Sequence, residues 1–170
     1  MLRIATVLFA LASQFSTTDP WVNMRFFIGV WEGTSVGESG NGTVSRTYEF
    51  VLGNKFLQVR NKSTYPPQER NPKGEAHEDW GMFSYDTGRR KLVFRQFHGE
   101  GFVNQYIAQS QDGREIIFVS ESIENTPRGY RTRETYRISN ADEFVERFEL
   151  AEPGRDFQTY SETRFRRSKR

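Results

Sequence analysis

This sequence predicts an all-β fold, an antiparallel up-and-down β-barrel of about ten strands with a short N-terminal helix, and three observations predict it. Aromatic residues form 15% of the 170, a composition suited to pleated, half-buried strands. Helical spacing of apolar residues is confined to one stretch before Gly29. From Gly29 onward apolar and polar residues alternate, and turn signals interrupt them at intervals of roughly a dozen residues.

Residues 1–16 stand apart. Met1-Leu2-Arg3 and the apolar run of residues 4–12 have the charged start and short apolar stretch of a secretory signal, with Ala10-Leu11-Ala12 as the cleavage motif. The run is too short to span a bilayer. A cleaved signal implies a periplasmic or secreted protein, and a flexible, uncleaved leader implies a cytoplasmic one. Residues 17–170 then form a single domain, since a chain of 170 residues builds one core and hardly two.

Asp19-Pro20 supplies an N-cap and a first helical position, and Trp21, Met24 and Phe27 follow on one face until Gly29 stops the helix. Nine turn signals come next: residues 37–42, Gly53-Asn54, residues 66–74, Asp86-Thr87-Gly88, Gly99-Glu100, Asp112-Gly113, residues 127–129, residues 139–142 and Pro153-Gly154. They divide the chain into about ten strands joined too closely for parallel crossovers, and closing the sheet removes its edges.

Strand parity decides which side chains face inward. A two-residue loop at Gly99-Glu100 pairs Phe97 with Phe102, and one at Asp112-Gly113 pairs Tyr106 with Val119. Provided no bulge intervenes, Val93, Arg95, Phe97, Phe102, Asn104, Tyr106, Val119 and Glu121 share the face taken here as the lumen, with Arg95 and Glu121 neutralising each other. The opposite face, with Leu92, Phe94, Gln96, Val103, Gln105, Ile107, Phe118 and Ser120, is also apolar enough for a core. Farther along, Arg131, Arg133 and Arg137 belong in water, which turns Tyr130, Thr132, Glu134, Tyr136 and Ile138 inward. Glu146 alternates in phase with Phe144 and Phe148, so it joins Glu134 inside, and these carboxylates need donors, for which Arg60 and Arg95 are the candidates.

Several chemistries have no support. The absence of cysteine excludes disulfides, thiolate nucleophiles and Cys-ligated metal. Only His77 and His98 are present, at no recognised ligand spacing, so no protein-built metal site is expected. There is no nucleophile elbow or phosphate loop, and binding is expected rather than catalysis. Twenty-four basic residues interspersed with 22 acidic ones give no broad field for nucleic acid. The basic end, Arg164, Arg166, Arg167, Lys169 and Arg170, reads as a solvated tail.

Gly29-Val30-Trp31-Glu32-Gly33 after a short helix, opening a β chain that ends in Arg164-Phe165-Arg166, resembles the calycin pattern of lipocalins, fatty-acid-binding proteins and nitrobindins. The stretch YEFVLGNKFL at residues 48–57, with WGMFSYD at residues 80–86, is similar to a bacterial lipocalin-like family of unassigned function. The resemblance implies a ligand-binding barrel with Trp31 packed against Arg164 or Arg166 at its closed end, a contact of cation–π type. A nitrobindin-like haem protein acting on reactive nitrogen species is the alternative. It needs His77 or His98 at the iron, because residues 157–165 lack the histidine that nitrobindins carry there, and haem is therefore disfavoured.

These readings lead to the binding of one small, hydrophobic or amphipathic molecule by a monomer or homodimer with no transmembrane span. Arg60, Arg95, His98, Asn104, Tyr106, Glu121, Glu134 and Tyr136 are the ligand-binding candidates. A filled barrel serving as an interaction domain is the remaining alternative.

Overall fold

Ten strands, each hydrogen-bonded antiparallel to its neighbours in sequence, close into a ring where the first pairs with the last. They are β1 (Gly29–Gly37), β2 (Gly40–Val51), β3 (Phe56–Tyr65), β4 (Glu75–Asp86), β5 (Lys91–His98), β6 (Val103–Gln111), β7 (Glu115–Glu124), β8 (Arg131–Asn140), β9 (Glu143–Ala151) and β10 (Gln158–Arg167). The structure, a computed structural model, describes residues 19–169. The leader expected at residues 1–16 lies outside the described residues. Every expected turn falls between two strands, because glycine, proline, asparagine and aspartate interrupt the alternation at each of them.

The expected N-terminal helix is a run of turns ending in a single 3-10 turn, Arg25–Phe27. Asp19 Oδ1 accepts from the Trp21 backbone N–H as an N-cap does. The spacing of Trp21, Met24 and Phe27 suits three residues per turn as well as 3.6, and tertiary packing chose the tighter form. All three side chains are buried, and the segment plugs one end of the barrel. Gly29 adopts φ +119°, a conformation that favours glycine, to turn from the plug into β1.

The plugged half of the barrel is filled with rings. Phe27 packs against Tyr48, Tyr136 and Phe144 with centroids 5.0–5.6 Å apart, and Phe83 stacks on Phe94 at 4.0 Å. Gly81 makes room for this stack: a Cβ there would lie 2.3 Å from the Phe94 ring. Trp31 donates from Nε1 to the Phe27 carbonyl, 2.6 Å, which ties the plug to β1. The cation over Trp31 is Arg167, 4.2 Å from the ring centroid, and not Arg164 or Arg166 as the resemblance implied. Register decides this, because Trp31 is the Cα partner of Arg167, while Arg164 and Arg166 point outward to Glu143. Arg167 also donates to the carbonyls of Ile28 and Phe26, both at 2.8 Å, so one guanidinium holds plug and last strand together.

The face expected to be the lumen in the middle strands requires correction. The loop after His98 has three residues rather than two, closed by the His98 N–H to Phe102 carbonyl bond, so Phe97 pairs with Val103 and Gln96 with Asn104. The next turn sits one residue later, and a bulge at Gln109 of β6 places Tyr106 opposite Ser120. The interior therefore takes Leu92, Phe94 and Gln96 from one expected face, Asn104 and Tyr106 from the other, and Phe118 from the first again. Arg95, Phe97 and Glu121 point outward.

The packing makes a direct prediction for stability. Phe27→Ala, at a side chain 1% exposed, should destabilise by about 3–5 kcal/mol in urea denaturation. Phe97→Ala, at a side chain 51% exposed, should cost less than about 1 kcal/mol. Equal losses at the two positions would contradict this inward and outward assignment.

Candidate functional site

Above the aromatic fill the barrel holds a cavity of about 510 Å³, open at the end opposite the plug. Alternation makes its wall: Val44, Phe148 and Leu150 face in from β2 and β9, and Phe102, Ile123 and Tyr130 complete an apolar surface toward the mouth. Its floor is polar. Among the described residues five carboxylates line the cavity, Glu75, Asp79, Glu100, Glu134 and Glu146, and Arg46 is the single Lys or Arg that does so.

Arg46 organises the floor. It faces inward from β2 between Val44 and Tyr48, forms a two-pronged ion pair with Glu146 of β9 through Nη1 and through Nη2 at 3.1 Å, and donates from Nε to Asn61 Oδ1 at 2.9 Å. Its guanidinium also lies 4.6 Å from the Phe165 ring centroid. Burial works against the Arg46 charge, but the charge and hydrogen bond of Glu146, with the neighbouring Tyr48 and Tyr136, together outweigh it and hold the guanidinium above its ordinary value. Asn61 passes the chain on, donating to Asp79 Oδ2 at 2.8 Å, and Gln96 donates to Asp79 Oδ1 at 2.9 Å.

At the rim, β4 and β5 bring two histidines to the same carboxylate. Asp79 is the Cα partner of His98, and His77 lies two residues earlier on the same face of β4. His77 Nε2 is 3.4 Å from Asp79 Oδ2, and its Nδ1 is 2.6 Å from Glu100 Oε1 in the loop after β5. His98 Nδ1 is 3.3 Å from His77 Nε2, and its Nε2 is 3.1 Å from the Asn104 amide. Asp79 and Glu100 raise the His77 pKa to about 9, whereas burial lowers that of His98 to about 4, so the pair shares its charge unequally. Burial alone would raise the Asp79 carboxyl, but the His77 hydrogen bond and the Arg46 charge hold it below its ordinary value.

Among the described residues Glu134 has no basic partner of its own. It accepts from the Tyr136 hydroxyl, and burial and the neighbouring charge of Glu146 push its pKa up to about 8. Burial likewise keeps the Tyr48, Tyr106 and Tyr136 phenols protonated.

Of the residues singled out in the sequence, His98, Asn104 and Glu134 line the cavity, and Tyr106 and Tyr136 lie beneath its floor. Arg60, Arg95 and Glu121 sit on the outer face, which corrects their assignment to the interior. Arg60 faces Glu49 at 3.3 Å and lies over Trp80, Arg95 approaches Ser84, and Glu121 accepts from Arg89. Hydration of a free guanidinium makes the outer face the lower-energy choice wherever register offers no inward carboxylate. Sequence reasoning missed Arg46, Asn61, Asp79 and Gln96, and named His77 only as an alternative ligand of haem iron. The signal for Arg46 was available: the short loop between Gly37 and Gly40 puts it opposite Trp31, whose inward position the resemblance implied.

No family model and no curated protein matches this sequence. Among solved structures, the crystal structure of Rv2717c from M. tuberculosis is similar over 89% of this chain and 99% of its own, with a TM-score of 0.66 at 16% identity. A de novo designed fluorescence-activating β-barrel covers 85% of this chain and 95% of its own at TM-score 0.44 and 13% identity. A redesigned β-barrel, b11L5F_LGL, covers 85% and 94% at TM-score 0.45 and 9% identity. The likeness to Rv2717c shows a shared fold.

Two outcomes are expected of the floor. Arg46→Ala strands a buried Glu146 and should cost about 3–5 kcal/mol in urea denaturation, while Arg46→Met with Glu146→Leu should recover most of that loss. The raised Glu134 pKa means that the folded chain holds more protons than the unfolded chain between pH 4.5 and about 8, so its contribution to stability declines as pH rises through that window. The slope approaches about 1.4 kcal/mol per pH unit at most. Comparing denaturation of the wild type and Glu134→Gln across the window checks it, and parallel curves would refute the assignment.

Proposed function

We propose that this barrel binds one small amphipathic molecule, with its apolar body against the wall and a polar or charged group on the floor. The observation that carries the reading is the division of the interior. The plugged half is packed with rings, and the open half leaves a cavity of about 510 Å³, within the range of small-molecule sites. The floor is equipped for recognition, since Gln96 Oε1 and Thr132 Oγ1 are buried on lining residues without a partner among the described residues. Such atoms cost free energy unless a guest or water meets them. The ligand's polar end therefore points inward, toward Arg46 and Glu134, with its apolar end at the mouth.

The calycin resemblance of residues 29–33 agrees with this reading, and the likeness to Rv2717c supports the fold on which it stands. Sequestration or transport follows from a site open at one end. Native mass spectrometry of the protein purified from its own host should show a discrete added mass, and a dansylated fatty acid should compete for the same space. Val44→Trp, which fills the cavity from β2, should weaken binding of the probe by about tenfold or more. Absence of a retained mass together with unchanged probe binding by Val44→Trp would sink the proposal.

A further inference from the structure

We infer that His77, Asp79 and His98 form a binding site for a divalent transition-metal ion, of the Zn²⁺ or Fe²⁺ kind, at the rim of the cavity. One ligand atom from each of the three lies within 4.8 Å of the others. Two of the three separations match the edges of a tetrahedral shell. Imidazole and carboxylate atoms about 2.0–2.1 Å from a tetrahedral ion lie about 3.3–3.4 Å from one another. His77 Nε2 is 3.3 Å from His98 Nδ1 and 3.4 Å from Asp79 Oδ2.

The groups behind the three ligands are those that a metal site uses to orient its shell. Glu100 engages Nδ1 of His77 at 2.6 Å, the carboxylate–histidine arrangement that leaves Nε2 for an ion. Asn61 and Gln96 both donate to Asp79, which fixes its carboxylate. Asn104 supplies an independent observation. It is 1% exposed, its Oδ1 has no partner among the described residues, and its amide nitrogen faces His98 Nε2 at 3.1 Å. Turning that amide over, an assignment fixed only by the hydrogen-bond network, gives Oδ1 a proton from His98 Nε2 and presents the lone pair of His98 Nδ1 toward His77 and Asp79. The His98 ring is held in place by stacking on Phe102, with centroids 3.9 Å apart.

Two imidazoles and one carboxylate are a donor set for Zn²⁺ or Fe²⁺ with a coordination position left over. All three residues line the cavity, so that position faces the interior and can take water or an oxygen of a guest. Binding replaces a proton on His77 Nε2, which is released to solvent. The inference does not rest on the proposed organic ligand: an ion can bind without a guest, and a guest without an ion.

The test uses the full chain, stripped with a chelator and titrated near neutral pH with Co²⁺ alone and then with Zn²⁺ alone. One equivalent of Co²⁺ should give the visible absorption of a four- or five-coordinate site and should be displaced by Zn²⁺. His77→Gln and His98→Gln, each checked for fold by circular dichroism, should weaken binding by more than about tenfold, and Glu100→Gln by about tenfold. X-ray absorption of the wild-type Zn²⁺ complex, which needs no variant, should show two imidazole ligands. Less than one equivalent bound, affinity retained in both histidine variants, or a shell with fewer than two imidazoles would overturn the inference.

Discussion

The open half of this barrel depends on one buried cation. A closed ring of strands forces alternate side chains into an interior that water enters from one end only, and here the inward positions carry Asp79, Glu134 and Glu146. Among the described residues that line the cavity Arg46 is the only fixed positive charge, and its guanidinium meets Glu146 directly and Asp79 through Asn61. An ion pair in such a place is weak evidence for stability, because desolvation offsets most of the attraction. Its effect is on arrangement. Arg46 fixes the Glu146 carboxylate by its two-pronged pair and helps to hold Asp79 below its ordinary value, and Glu134, with no cation paired to it among the described residues, keeps its proton to about pH 8.

The two halves of the barrel follow from one strand pattern with different residues in it. Toward the plug the inward positions are Trp31, Tyr48, Phe83, Phe94, Phe118, Phe144 and Phe165, large enough to meet across the lumen and exclude a guest. Toward the mouth the same strands offer Val44, Ser63, Gln96, Thr132 and Thr163, which are too small to meet. The cavity is thus a consequence of side-chain volume at fixed spacing. The plug closes one end through Phe27 and through the hold of Arg167 on two of its carbonyls, so the open end carries both the entrance and the histidines.

Much of this was legible in order along the chain. Turn chemistry located every hairpin, and the contrast of Arg131, Arg133 and Arg137 with their neighbours turned Thr132, Glu134 and Tyr136 inward. The phase of Glu146 with Phe144 followed in the same way. The middle strands were not legible, because both of their faces are apolar and the choice hung on loop length. One residue more between β5 and β6, and a bulge at Gln109 of β6, inverted β5 and β7 while leaving Asn104 and Tyr106 inside. Arg60 and Arg95 were read as donors for the buried carboxylates on charge alone. Arg46 took that role through register, which charge patterning does not encode.

The sequence by itself determined that the chain is a ring of short antiparallel strands, since period-two alternation and turn residues are local properties that each segment carries alone. Only the tertiary structure decided which side chains share a space. His77 and His98 are 21 residues apart, and they meet because β4 and β5 pair in one register out of several that the same alternation allows. A site built across strands is a sum of registers and bulges, and a slip of one residue would turn its side chains to the opposite face.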